Sequence, residues 1–104
     1  MYATTWQYRV RPEHVDTFRE VYGAKGDWAR LFARHPGFRG TRLYQDLDNP
    51  AGFVTVDVWQ DEAAFLDFKR LYGAAYQALD DRFIGMSEQW HLGTGDAAAW
   101  TGEG

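Results

Sequence analysis

Polar and apolar positions alternate at the start of the chain. Tyr2, Thr4, Trp6, Tyr8 and Val10 fall on one side of an extended segment, and Ala3, Thr5, Gln7 and Arg9 on the other. The residue types suit a pleated surface, so residues 2–11 are expected to form a strand. Pro12 then opens a helix at its first turn, with Glu13 near the positive end. From Pro12 to His35 the period changes to that of a helix. Val15, Phe18, Val21, Tyr22, Trp28, Leu31, Phe32 and His35 lie close to one face. Gly23 and Gly26 interrupt it, each costing roughly 1 kcal/mol against Ala in a helix interior. A kink or two short helices is expected there, with close backbone approach as the compensation.

Pro36-Gly37 ends the helix. Residues 38–47 read as a second strand and residues 53–60 as a third. Between them Asp48-Asn49-Pro50-Ala51-Gly52 is a dense turn signal, so the two strands should form a hairpin. Asp61 is suited to cap a helix over residues 62–82, where Phe65, Phe68, Leu71, Tyr72, Ala75, Tyr76 and Leu79 form one stripe. Residues 84–92 read as the last strand. The order β-α-β-β-α-β predicts an α+β, ferredoxin-like sandwich with a four-stranded antiparallel sheet and both helices on one face. Residues 1–93 are expected to form one domain and residues 94–104 a flexible tail that Trp100 anchors.

The strands carry large side chains on both sides. One assignment turns Val54, Val56, Val58, Leu43 and Leu47 toward the helices and leaves Phe53, Thr55, Asp57, Trp59, Arg42 and Tyr44 on the free face. A register error of one residue exchanges these sets. In either case a lone subunit leaves an apolar sheet face wet, and sheet-on-sheet pairing into a homodimer is the simplest cover.

Composition sharpens this picture in two places. Phe, Trp and Tyr make up 17% of the 104 residues, more ring surface than a small core needs, and surplus rings go to interfaces and ligand pockets. The net charge of −4, with scattered Lys and Arg, argues against nucleic acid as a partner. With no Cys, disulfides and thiolate metal sites are excluded. No apolar run is long enough to span a membrane, and no basic stretch followed by an apolar run opens the chain. A cytoplasmic location is expected.

Two segments carry a family resemblance: Trp28-Ala29-Arg30-Leu31-Phe32 leading into Pro36-Gly37-Phe38, and Val56-Asp57-Val58-Trp59 followed by Asp61-Glu62-Ala63-Ala64-Phe65. With the order of elements, they resemble the antibiotic-biosynthesis-monooxygenase-like group of the dimeric α+β barrel superfamily, over roughly residues 2–93. The resemblance implies a dimeric barrel. It also opens a range of activities that includes cofactor-free oxidation of polycyclic phenols, heme degradation and small-molecule isomerisation. Heme-degrading members use a strand-one Asn, a helix Trp and a His about ten residues later. This chain has no Asn in strand one, and the other two positions fall on Phe68 and Ala78, so the axial ligand is missing.

The candidate chemistry is sparse. No two of His14, His35 and His91 have helical metal-ligand spacing; no metal and no cofactor is expected. His35 extends the apolar stripe of the first helix, where it could face a cavity as a catalytic base or cap the helix end. Trp28, Phe32, Phe68, Tyr72 and Tyr76 could line an aromatic-selective slot, with Asp80 following Tyr76 at helical spacing; they could equally be core. Asp57 and Glu88 are strand carboxylates. A salt bridge from Asp57 to Arg42 on the neighbouring strand is the expected arrangement, and a general base raised by burial is the alternative.

Three functions fit these features. The first is a cofactor-independent monooxygenase acting on an aromatic or quinol-type small molecule, with His35 taking a proton. The second is a non-catalytic binding module, and the third a structural homodimer whose rings only fill the core. An interior with no cavity of roughly 300 Å³ would favour the third.

Overall fold

The computed structural model describes residues 1–97. Its elements are β1 (Tyr2–Val10), a 3-10 turn (Pro12–His14), α1 (Val15–Tyr22), α2 (Asp27–Phe32), β2 (Phe38–Gln45), β3 (Gly52–Trp59), α3 (Glu62–Arg82) and β4 (Ser87–Asp96). The four strands form one antiparallel sheet in the order β2-β3-β1-β4, the α+β ferredoxin-like arrangement. Among the described residues, no helix is long and apolar enough to cross a membrane.

The first helical region divides at its glycines. α1 ends at Tyr22, and α2 restarts after Gly26. A Cβ on Gly26 would collide with the backbone carbonyls of Glu20 and Val21, so the chain passes itself here at a distance only glycine allows. The Asx-rich hairpin closes through its own side chains: Asp46 accepts from Asp48 N–H at 2.8 Å and Asn49 from Ala51 N–H at 3.1 Å. Asp61 caps α3 by accepting from Ala64 N–H at 2.8 Å. Inside α3, Tyr72 leaves helical geometry (φ −119°, ψ 19°), so the helix comprises two segments meeting at a kink.

The last strand begins later and ends later than expected. Ile84 is 81% exposed in the turn after α3, where Gly85 adopts φ 84°, a conformation that favours glycine. Pairing of β4 with β1 then continues through Thr94, Gly95 and Asp96, so the start of the tail expected over residues 94–104 is strand as far as Asp96. Trp100 lies outside the described residues.

The facing of β3 is the reverse of the assignment above. Phe53, Thr55, Asp57 and Trp59 pair with Tyr8, Trp6, Thr4 and Tyr2 and turn toward the helices, whereas Val54, Val56 and Val58 lie on the outer face. Leu43 faces the helices and Arg42 and Tyr44 the outside, as assigned. Both faces of β3 are apolar, so the two-residue period cannot choose between them. Ring packing makes the choice. Trp59, with no exposed surface, sits within 5.1–5.6 Å of the Phe32, Phe38, Phe65 and Phe68 rings, centroid to centroid. Three of these rings come from α2 and α3, so one side chain ties both helices to the sheet. Replacement Trp59→Ala is expected to lower unfolding free energy by about 3–5 kcal/mol, measured by urea denaturation. A loss below about 1 kcal/mol would remove Trp59 from the centre of the core.

Candidate functional site

The facing of β3 carries Asp57 inward with Trp59. Between the sheet and the helices lies a cavity of about 50 Å³ whose wall includes Trp6, Tyr8, Tyr22, Trp28, Phe32 and Tyr76. Its polar groups are Thr41, Thr55, Asp57, Asp80 and Gln89. β1, α1, α2, β3 and α3 each contribute a ring or a carboxylate, β2 adds Thr41 and β4 adds Gln89. The volume holds a few water molecules. It is well below the roughly 300 Å³ of a usual organic-ligand site.

The walls are held by ring contacts and two short side-chain bonds. Trp28 meets the Tyr76 ring edge-on at 4.9 Å, and Tyr22 stacks on Phe18 at 4.1 Å. The Tyr8 hydroxyl lies 3.2 Å from Thr55 Oγ1. Thr41 Oγ1 donates to Asp57 Oδ1 at 2.6 Å. Burial raises Asp57 from the ordinary carboxyl pKa of 3.8 to about 6, against the pull of the Thr41 bond. The expected Asp57–Arg42 salt bridge is not the arrangement found, because Arg42 stands opposite Val56 on the outer face. Burial also raises the phenol groups of Tyr8, Tyr22 and Tyr76, the last to about 12. Their hydroxyls are therefore neutral donors at physiological pH.

Trp28 Nε1 is buried without a hydrogen-bond partner, as is Trp59 Nε1. The Trp28 indole lies near enough to Tyr22 to favour its anion, yet makes no bond of normal geometry to it. An unpaired buried N–H costs free energy. On a cavity wall it is a donor available to a ligand oxygen.

The structure separates the residues expected to act together. Trp28, Phe32 and Tyr76 line the cavity. Phe68 does not: it is fully buried among Phe32, Trp59 and Tyr72. Tyr72 lies at the helix kink, its hydroxyl 3.5 Å from the Arg34 carbonyl. His35 is not on the cavity wall either. Its Nδ1 accepts from Gly37 N–H at 2.9 Å, and its Nε2 lies 2.9 Å from Asp67 Oδ2. With Nδ1 accepting, the proton sits on Nε2 and is donated to Asp67. That bond, then Arg70, holds the Asp67 carboxyl below its ordinary range. Both imidazole nitrogens are engaged in fastening the Pro36-Gly37 turn to α3, so His35 has no free position with which to take a substrate proton. Asp57 and Asp80 are the carboxyl groups on the cavity wall, and burial raises the pKa of Asp57. The sequence marks Asp57 as a carboxylate within an apolar strand, and the reversed facing of β3 hid its direction. Among the described residues, no three His, Asp or Glu side chains gather as metal ligands would.

The family profile described as antibiotic biosynthesis monooxygenase matches residues 1–78. The chain belongs to that family. Among solved structures it is similar to SnoaB, a cofactor-independent oxygenase from Streptomyces nogalater, at 22% identity and TM-score 0.71, covering 92% of this chain and 91% of that one. A protein from Nitrosomonas europaea provisionally described as an antibiotic biosynthesis monooxygenase aligns at 18% identity and TM-score 0.67, over 94% and 99% of the two chains. A protein of similar description from Deinococcus radiodurans aligns at 17% identity and TM-score 0.67, over 93% and 95%. At these identities the likeness concerns the fold. No functionally curated protein matches the sequence.

The raised Asp57 has a thermodynamic signature. Between pH 3.8 and about 6 the folded state keeps a proton that the unfolded state has lost, so stability falls as pH rises through that window. Asp57→Asn is expected to remove this decline and to leave the protein more stable at pH 7 by an amount of the order of 2 kcal/mol. Urea denaturation across the pH range checks it; an unchanged decline in the variant would place the titration elsewhere.

Proposed function

We propose that the protein is a cofactor-independent monooxygenase acting on a phenol- or quinol-type small molecule. The observation that supports it is the convergence, in one aromatic-walled cavity, of a carboxyl group of raised pKa, an unpaired indole N–H and three neutral tyrosine hydroxyls. A general base with a pKa near the working pH is efficient in proton transfer, and buried, perturbed carboxyls cluster at functional sites. The substrate ring enters the aromatic-walled cavity beside Trp28 and Tyr76. Its phenolic O–H gives the proton to Asp57, and the ring carbon then supplies electrons to O2. For oxidation to a quinone, one oxygen atom bonds to the ring carbon. The other leaves as water with two substrate hydrogens, and the substrate furnishes all four electrons. The chain's share is desolvation, orientation and the proton. The small volume requires Tyr76 or Trp6 to move outward as the ring enters.

The expected result is oxygen consumption when anaerobically loaded hydroquinones are exposed to O2, with a rate that falls as pH drops below about 6, where Asp57 becomes protonated. Asp57→Asn is expected to lower kcat by roughly 100-fold or more, while His35→Ala changes stability rather than the pH profile. Turnover unaffected by Asp57→Asn would remove the base assignment. The cavity of about 50 Å³ favours a second reading, a structural role in which the rings are only core. Absence of binding by any small phenol would support it.

The working unit in this proposal is a homodimer joined through the outer sheet face. Tyr44, Trp90 and Leu92 are 51%, 44% and 54% exposed there, beside the partly exposed Val54 and Val56 of β3. An apolar face of this kind calls for a cover, and an identical face is self-complementary under a two-fold axis. Sedimentation should return twice the 12.0 kDa subunit mass, and Val56→Lys, at the centre of that face, should return the monomer. A monomeric parent protein would remove the dimer.

A further inference from the structure

The charge of the cavity wall is lopsided. Asp57 and Asp80 both line it, and among the described residues no Lys, Arg or His does. Neither carboxylate forms an ion pair with another described residue. Asp57 acts electrostatically on Tyr8 and Tyr76, and Asp80 on Tyr22 and Tyr76, so Tyr76 feels both carboxylates. A ligand carboxylate placed here would meet two like charges and no cation, in a site partly closed to water, where such repulsion is strong. A cation would meet ring faces and carboxylates together, the arrangement by which proteins hold organic ammonium groups. Tyr76 already accepts one cation on its ring: Lys69 Nζ, which is not part of the cavity wall, lies 4.2 Å from the centroid. The unpaired Trp28 Nε1, on an indole only 7% exposed, adds a donor for a ligand oxygen.

We propose that the cavity selects a phenol carrying a protonated amine, the ammonium group held by Asp80 and the Tyr22 and Tyr76 rings and the phenolic oxygen placed between Asp57 and Trp28 Nε1. This deepens the oxygenase reading and rests on its assignment of the cavity as the ligand site.

Three probes of similar shape separate charge from ring: tyramine, N-acetyltyramine and 3-(4-hydroxyphenyl)propionate. Their binding to the full chain is followed without oxygen, at neutral pH, by quenching of tryptophan fluorescence. Tyramine is expected to bind about tenfold or more tighter than its neutral amide, in keeping with a desolvated ammonium on rings and a carboxylate, and the propionate to bind weakest. In Asp80→Asn, checked for an unchanged melting temperature, tyramine and its amide should fall within about twofold of each other. Should that variant unfold, Asp80→Glu, which keeps the charge, is expected to preserve the preference. Equal affinity for tyramine and its amide, tightest binding of the propionate, a preference that survives Asp80→Asn, or no tyramine binding at millimolar concentration would each overturn the proposal. The oxygenase reading fails separately: selective tyramine binding without oxygen consumption by any phenol leaves cation selection standing and removes the reaction. Quinol turnover without amine preference does the reverse.

Discussion

The direction in which β3 faces governs both the core and the site. Trp59 has no exposed surface and meets rings from β2, α2 and α3, which fixes the helices on that side of the sheet. A strand alternates its side chains with a period of two. Once Trp59 points inward, Thr55 and Asp57 must follow. A carboxyl group is therefore delivered to the interior by the same packing that holds the fold together. Turning it outward would expose Trp59 and Phe53, at about 1.5–3 kcal/mol or more for each large side chain, which outweighs the desolvation of one carboxyl partly satisfied by Thr41.

That carboxyl works against the stability of the domain. Its raised pKa means that the charged form is disfavoured in the folded chain. A purely structural position would do better with Asn or an apolar residue. The Trp28 indole repeats the pattern, an N–H withdrawn from water and left without a protein partner. Two such costs on one small cavity are local conflicts of the kind found where a fold is shaped for binding rather than for packing alone. His35 is the opposite case. Both of its nitrogens are satisfied within the fold, where they hold a turn against a helix.

Much of the architecture was legible in the sequence. The element order, the Gly23/Gly26 break, the Asp61 cap and the hairpin each carry a local signal, and each appears where its signal stands. The strand facing was not legible, because Val54-Val56-Val58 and Phe53-Thr55-Trp59 are comparably apolar and only long-range ring packing separates them. The site suffered in consequence. Trp28, Phe32 and Tyr76 were visible as helix-stripe aromatics, whereas Tyr8 and Tyr22 looked like ordinary core. His35 was misleading for a different reason. Helical periodicity placed it on the inner face, but it lies beyond the end of α2, where the chain turns and its Nδ1 accepts from the Gly37 amide. Asp57 was legible as a carboxylate within an otherwise apolar strand, with a buried base as the alternative to a salt bridge with Arg42; the facing of the strand decides between the two.

The kink at Tyr72 divides the labour of α3. Its first segment carries Phe68, wedged against Phe32 and Trp59; its second carries Tyr76 and Asp80 on the cavity wall. A continuous helix would behave as a rigid rod, and any tilt at one end would be felt at the other. Broken at Tyr72, with open space around the following Gly73, the helix has two axes, and each can be set by its own contacts. The direction of the slot wall is therefore not dictated by the rings that anchor the domain.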